Sequence, residues 1–222
     1  MKTNTLSARP ATGVLATNKV LRNTYLLLSM TLLFSAMTAG FAMAIKMPPI
    51  NMWITLIGFY GLLFLTTKFR NSAMGIVCVF ALTGFMGLTL GPILNHYINA
   101  FGNGYQLVMM ALGGTGTIFL GLSGYALTTR KDFSYLGGFL FTGVLVAFLA
   151  GIGAILFAIP TLSLAVSAMF ILLMSGMILF QTSLIVNGGQ TNYIMATVDL
   201  YVSLYNLFLS LLQILGIMGS DD

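Results

Sequence analysis

Five polar side chains interrupt the last apolar stretch of the chain: Asp199, Ser203, Asn206, Ser210 and Gln213, at intervals of 4, 3, 4 and 3 residues. On an α-helix that spacing keeps all five on one face. Asp199 is the only carboxylate inside any of the long apolar segments. A carboxylate facing hydrocarbon is expensive, so the stripe must face protein or water and marks the first candidate site. Two kinds of chemistry fit it. In one, Asp199 is a proton-sensitive gate that pairs with a cation when ionised and lets go when protonated. Lys68, Arg70, Arg130 and Lys131 have stems long enough to serve as that cation. In the other, the stripe is the polar edge of a central helix, and its hydrogen bonds set the register of its neighbours. The structural reading suits Ser203, Asn206, Ser210 and Gln213. It suits Asp199 less well, because Asn or Ser would serve that purpose at lower cost.

Other chemistries fail on composition or distance. Gly121-Leu122-Ser123-Gly124 has the GxSG form of intramembrane serine proteases, and such a serine needs a histidine within hydrogen-bond reach. The only histidine, His96, is expected in a loop after the third apolar segment. Ser123 lies 18 residues into the next segment, roughly 27 Å deep at 1.5 Å per residue. The two groups belong near opposite membrane faces. One His, one Cys and four carboxylates cannot assemble a metal site at ligand spacing. Phosphate loops and dinucleotide fingerprints are absent. The sequence therefore predicts neither an enzyme nor a bound cofactor.

The elements that must position these residues are membrane spans. The chain is 58% hydrophobic and 6% charged, with a mean hydropathy of +0.99, whereas a soluble domain is about a quarter charged. Seven apolar runs follow one another at approximately Tyr25–Ile45, Ile50–Thr67, Ala73–Leu94, Tyr105–Thr128, Tyr135–Ile159, Thr161–Val186 and Tyr193–Gly216. Their length and lack of alternation require helices, since backbone groups in lipid must be satisfied within the segment. Pro48-Pro49, Gly102-Asn103-Gly104, Pro160 and Asn187-Gly188-Gly189 punctuate the runs. The expected fold is all-α, an integral membrane bundle of seven transmembrane helices, the seventh polar-striped. Residues 1–20 form a flexible basic tail, and residues 21–222 the transmembrane domain.

Basic residues set the orientation. Lys2, Arg9, Lys19, Arg22, Lys68, Arg70, Arg130 and Lys131 share one side if the N-terminus is cytoplasmic, leaving Lys46 on the other. That bias predicts a cytoplasmic N-terminus and a periplasmic C-terminus. The net charge of +5 is explained by these flanks. No surface of interleaved basic and aromatic residues exists for nucleic acid. Ala42-Met43-Ala44 resembles a signal-peptide cleavage site, but the apolar run before it is too long, so the first helix is read as retained. A bacterial inner membrane is the favoured location. Small residues predict the packing faces: Ala36, Gly40 and Ala44; Gly87 and Gly91; Gly143, Ala147 and Gly151. Leu65-Thr66-Thr67-Lys68 is echoed 62 residues later by Leu127-Thr128-Thr129-Arg130. The echo suggests that helices two and three repeat as four and five.

Several segments also resemble a known family. They are Lys19-Val20-Leu21-Arg22-Asn23-Thr24-Tyr25, Gly91-Pro92-Ile93 with His96-Tyr97, and Lys131-Asp132-Phe133-Ser134-Tyr135-Leu136. To these are added Leu179-Phe180-Gln181-Thr182, the run Asn187-Gly188-Gly189-Gln190-Thr191-Asn192-Tyr193, and Ala196 to Phe208. Together they look like the Bax inhibitor-1 family, and within it the bacterial, YccA-like branch. The resemblance implies six helices around a seventh. It also implies binding to the membrane protease FtsH with its HflK–HflC partners, modulating membrane-protein quality control. The wider family implies a second possibility, a pH-sensitive calcium leak latched by two acidic groups on helices six and seven. The matching positions here are Gln181 and Ser203, and neither ionises. Any gating in this chain would therefore have to rest on Asp199, one turn before Ser203.

Overall fold

The computed structural model describes residues 11–219, with side chains described from Thr17 onward. Seven long helices account for most of it: α1 (Ala11–Ala44), α2 (Met52–Phe69), α3 (Ala73–Ala100), α4 (Gly104–Thr129), α5 (Gly137–Leu156), α6 (Pro160–Val186) and α7 (Tyr193–Met218). A single 3₁₀ turn, Ser134–Leu136, leads into α5. All seven helices are long and apolar enough to cross a membrane. Each expected span is found, with its ends moved by a few residues, except that α1 starts well before Tyr25. The tail expected over residues 1–20 is thus helical from Ala11, while residues 1–10 and 220–222, including Asp221 and Asp222, lie outside the described residues.

Local chemistry explains the ends. Asn51 caps α2 by accepting from the Trp53 N–H at 2.9 Å. Pro160 occupies the first turn of α6, where its missing N–H costs nothing. Asn192 caps α7 by accepting from the N–H groups of Ile194 and Met195 at 3.0 and 3.1 Å. Its amide also donates at 2.9 Å to the Arg70 carbonyl and to Asn71 Oδ1. One side chain thereby ties the start of α7 to the α2–α3 joint. Arg130 closes α4 in the left-handed region, at φ 51°.

Helix α7 is the centre of the bundle. It packs against α1, α2, α3, α4 and α6, and its buried face includes Leu200, Leu204, Leu207 and Leu212. The expected ring of six is incomplete, because α5 touches only α6 and the 3₁₀ turn. Two reciprocal glycines explain that pairing: Leu173 of α6 fills the space beside Gly143, and Leu140 of α5 fills the space beside Gly176. Such small residues permit close approach where lipid supplies no hydrophobic drive between helices.

The most extensive pair is α1 with α3. Gly87 lies against the Ser35 backbone and Thr38, and Gly91 against Ala42, as their spacing predicts. The partner face on α1 is not the expected one. Ala36, Gly40 and Ala44 are exposed, and Leu28, Thr31, Ser35, Ala39 and Ala42 are buried instead. A second correction concerns the internal echo. Helices α2 and α3 pack together, but α4 and α5 do not, so the two halves are not equivalent pairs. The shared Leu-Thr-Thr-basic sequence closes a helix both times, placing a cation near its negative C-terminal end.

Two tyrosines supply polar bonds inside this core. The Tyr201 hydroxyl lies 2.7 Å from Ser35 Oγ and donates to the Thr83 carbonyl at 3.2 Å. Tyr205 Oη lies 2.8 Å from Thr89 Oγ1. Intramembrane hydrogen bonds of this kind contribute roughly 0.5–2 kcal/mol. Tyr201→Phe should therefore lower stability by about 1 kcal/mol, while Tyr60→Phe on the exposed face of α2 should leave the unfolding midpoint unchanged.

Candidate functional site

The stripe on α7 divides into two parts with different surroundings. Its C-terminal part is packing. Gln213 Oε1 accepts from Ser167 Oγ at 2.7 Å, and Gln213 Nε2 donates to Ser163 Oγ at 2.6 Å, stitching α7 to α6. Ser210 is buried. The N-terminal part opens on a cavity of about 920 Å³, whose lining includes Asp199, Ser203 and Asn206. The other walls come from α2, α3, α5 and α6 and are overwhelmingly apolar, among them Phe59, Leu63, Met86, Val144, Phe148 and Met174.

Most polar groups in this cavity are satisfied within the protein. Gln181 and Ser203 meet across the α6–α7 interface, with Ser203 Oγ 3.2 Å from Gln181 Oε1. The same hydroxyl lies 3.0 Å from the Asp199 carbonyl, so its one proton serves a single acceptor at a time. Asn206 Nδ2 donates to the Val202 carbonyl at 2.8 Å. The Asp199 carboxylate is the exception: among the described residues no donor or cation reaches it. Lys68, Arg70, Arg130 and Lys131 are all exposed and none of them lines the cavity. The structure thus brings together Asp199, Gln181, Ser203 and Asn206, and leaves the four cations elsewhere.

The other described carboxylate, Asp132, makes the contrast plain. It is fully exposed in the α4–α5 connection, where the Ser134 backbone N–H donates to it at 2.9 Å. That bond, with the Ser134 hydroxyl second, holds its carboxyl below the usual range. Around it a polar lacing forms that the sequence does not announce. Ser183 Oγ donates to the Lys131 carbonyl at 2.9 Å and accepts from the Phe133 N–H at 2.9 Å. Asn187 donates to the same Lys131 carbonyl at 3.2 Å. Ser and Asn near the end of a helix were the only available signal, and their partners lie 50 or more residues away.

Among the described residues, no histidine reaches the GxSG serine. Ser123 is buried, with Thr182 Oγ1 at 3.3 Å as its partner, and Thr182 lies also 3.4 Å from the Tyr25 hydroxyl. His96 is exposed near the other end of the molecule. It sits within α3 and not in a loop, because the helix runs through the buried Pro92 to Ala100. The contact of Gly91 with α1 holds that part of α3 in place despite the proline. Among the described residues no group of three His, Cys, Asp or Glu side chains could hold a metal. The site can offer a charge and a hydrocarbon-lined space.

Comparison with known proteins agrees with this architecture. The family model described as Bax1-I, inhibitor of apoptosis-promoting Bax1, matches residues 17–220. A protein of Escherichia coli K12 named Modulator of FtsH protease YccA is 54% identical over 215 residues, 97% of each chain. Its counterpart in E. coli O6:H1, at the same identity and coverage, is named Inner membrane protein YccA. An uncharacterised Pseudomonas aeruginosa protein is 56% identical over 203 residues, 91% of each chain. These names describe membrane proteins and a modulator, not an enzyme. The bundle, the segments from Lys19 to Phe208 and the family match leave one assignment: this chain belongs to the Bax1-I, or Bax inhibitor-1, family.

Proposed function

We propose that this protein is a bacterial inner-membrane modulator of the FtsH protease, acting with HflK and HflC in membrane-protein quality control. The observation that carries the reading is 54% identity across 97% of both chains with the E. coli protein of that name. The names of the relatives, a modulator of a protease and an inner membrane protein, support a binding role over an enzymatic one. The N-terminus is cytoplasmic and the C-terminus periplasmic, on the strength of eight basic residues at the ends assigned inside against Lys46 at the other. Residues 1–20 are the handle: basic, free of acids, and suited to engagement by a cytoplasmic ATPase.

The test is a pull-down from solubilised membranes with a C-terminal affinity tag. FtsH should co-purify well above the level seen with an unrelated seven-helix protein, and equal recovery from both would end the proposal. Deleting residues 2–10, which precede α1, should slow the protein's own turnover by FtsH several-fold without preventing insertion. Unchanged turnover would remove the handle from the account. The second reading, a calcium or cation leak, draws on one observation, the unpartnered Asp199 facing a cavity. Ion flux into liposomes that is pH-dependent in the wild type and pH-independent in Asp199→Asn would establish it. A wild type with no flux at any pH would close that possibility.

A further inference from the structure

Helices α2 and α5 both line the Asp199 cavity, yet their backbones nowhere come within 8 Å, Cα to Cα. The space between them is a lateral cleft, with half-exposed Tyr60 of α2 on one lip and Leu145 and Phe148 of α5 on the other. In a bilayer such a cleft faces acyl chains. Its walls favour hydrocarbon, but its floor carries a carboxylate that no described residue neutralises. Hydrocarbon alone leaves that group unsatisfied, and a hydrated ion alone leaves the apolar walls unfilled. An occupant carrying both an alkyl chain and a cation answers both demands.

Size narrows the class further. A membrane-spanning helix is a cylinder about 10 Å wide and 30 Å long, on the order of 2,400 Å³. The cavity of about 920 Å³ is too small for one and lies within the ~300–1,000 Å³ typical of small-molecule pockets. Along α7 the lining runs from Val198 to Leu209, about 17 Å at 1.5 Å per residue. That length accommodates an extended alkyl chain of about a dozen carbons, since each C–C bond of ~1.5 Å advances a zigzag chain by roughly 1.3 Å. Asp199 lies near the Val198 end of this track, so the head belongs at the α7 N-terminal end and the chain runs towards Leu209.

We propose that the cleft between α2 and α5 is a binding site for a single-chain amphiphile with a primary ammonium head, its head on Asp199 and its alkyl chain along Phe59, Val144, Phe148 and Met174. The ammonium offers three donors to an acceptor-only group. An alcohol of equal length would keep the chain contacts and lose the charge pairing. A fatty acid would bring a second negative charge to the carboxylate. Gln181 and Ser203, at the latch positions, line the same cavity beside the head position, but neither carries a charge for the ammonium.

The experiment uses the full chain in phosphatidylcholine nanodiscs with a photoreactive dodecylamine, mapping labelled peptides by mass spectrometry. Labelling should be saturable and concentrate on Leu56–Leu63 and Val144–Phe148. Unlabelled dodecylamine should compete at least tenfold better than dodecanol, and dodecanoate not at all. Asp199→Asn should reduce the amine to the level of the alcohol, and Leu145→Trp, at an exposed lip, should remove labelling by filling the mouth. Both variants are checked for a wild-type elution profile and unfolding midpoint no lower than wild type. Equal competition by dodecanol, labelling spread over lipid-facing residues such as Leu33 and Phe41, or full labelling in Asp199→Asn would each overturn the proposal. Equal competition by phosphatidylethanolamine would overturn its single-chain assignment.

Discussion

Gly87→Leu should leave little folded protein in detergent, whereas Gly40→Leu should elute and unfold like the wild type. Both glycines were expected to lie on packing faces, and the structure separates them. A Cβ at position 87 would run into the backbone of Ser35 and the hydroxyl of Thr38, while one at position 40 meets nothing within 4 Å. A flexible side chain can swing aside from an intruding methyl group, but a helix backbone cannot. Overpacking ordinarily costs about 1–3 kcal/mol. Separating α1 from α3 across the largest interface of the bundle should exceed that and reach about 4 kcal/mol or more. Gly40→Leu should change stability by no more than about 0.5 kcal/mol. Thermal unfolding followed by size-exclusion recovery distinguishes the two, and equal behaviour of both variants would refute the interface.

The second large effect has the opposite sign. Asp199→Asn should stabilise the protein by about 1–3 kcal/mol at neutral pH, since a carboxylate within a membrane helix costs roughly 2.5–3.5 kcal/mol at the centre and less towards the ends. The substitution keeps the shape and removes an uncompensated charge. Ser203→Leu should destabilise, because it strands the Gln181 amide in a buried interface. Denaturant titration in mixed micelles reads both. A drop in stability for Asp199→Asn would mean that a partner neutralises the carboxylate in the folded protein.

Much of this architecture is legible in the sequence because lipid makes the helices explicit. Uninterrupted apolar runs, with breakers between them, located every span. The spacing of Asp199, Ser203, Asn206, Ser210 and Gln213 showed that the last helix has one polar face before any packing was known. What sequence could not supply was the partner of each face. Ala36-Gly40-Ala44 and Gly87-Gly91 have the same small-residue spacing, and only the fold shows that one meets lipid and the other a helix. Helix α1 scatters its polar residues around its circumference and buries Thr24, Thr31 and Ser35, so no amphipathic pattern points to its buried side. Tyr201 and Tyr205 went unremarked because an aromatic residue in an apolar run is unexceptional until its hydroxyl finds Ser35 or Thr89. The cavity was hidden for the same reason. It exists because α5 docks on α6 alone, and no local pattern encodes a contact that is missing.

The unequal docking of the helices also sets how the chain would resist being dragged out of the bilayer. A pull on the N-terminus is transmitted first to α1, which is held against α3 by its closest glycine contacts and to α7 through the Ser35–Tyr201 bond. The strongest joint is therefore loaded at the start, before any weaker one can yield and share the work. A motor working from that end meets its highest barrier at the first step, with α5, which docks on α6 alone, far down the line. The molecule is built like a rope whose tightest knot lies nearest the hand.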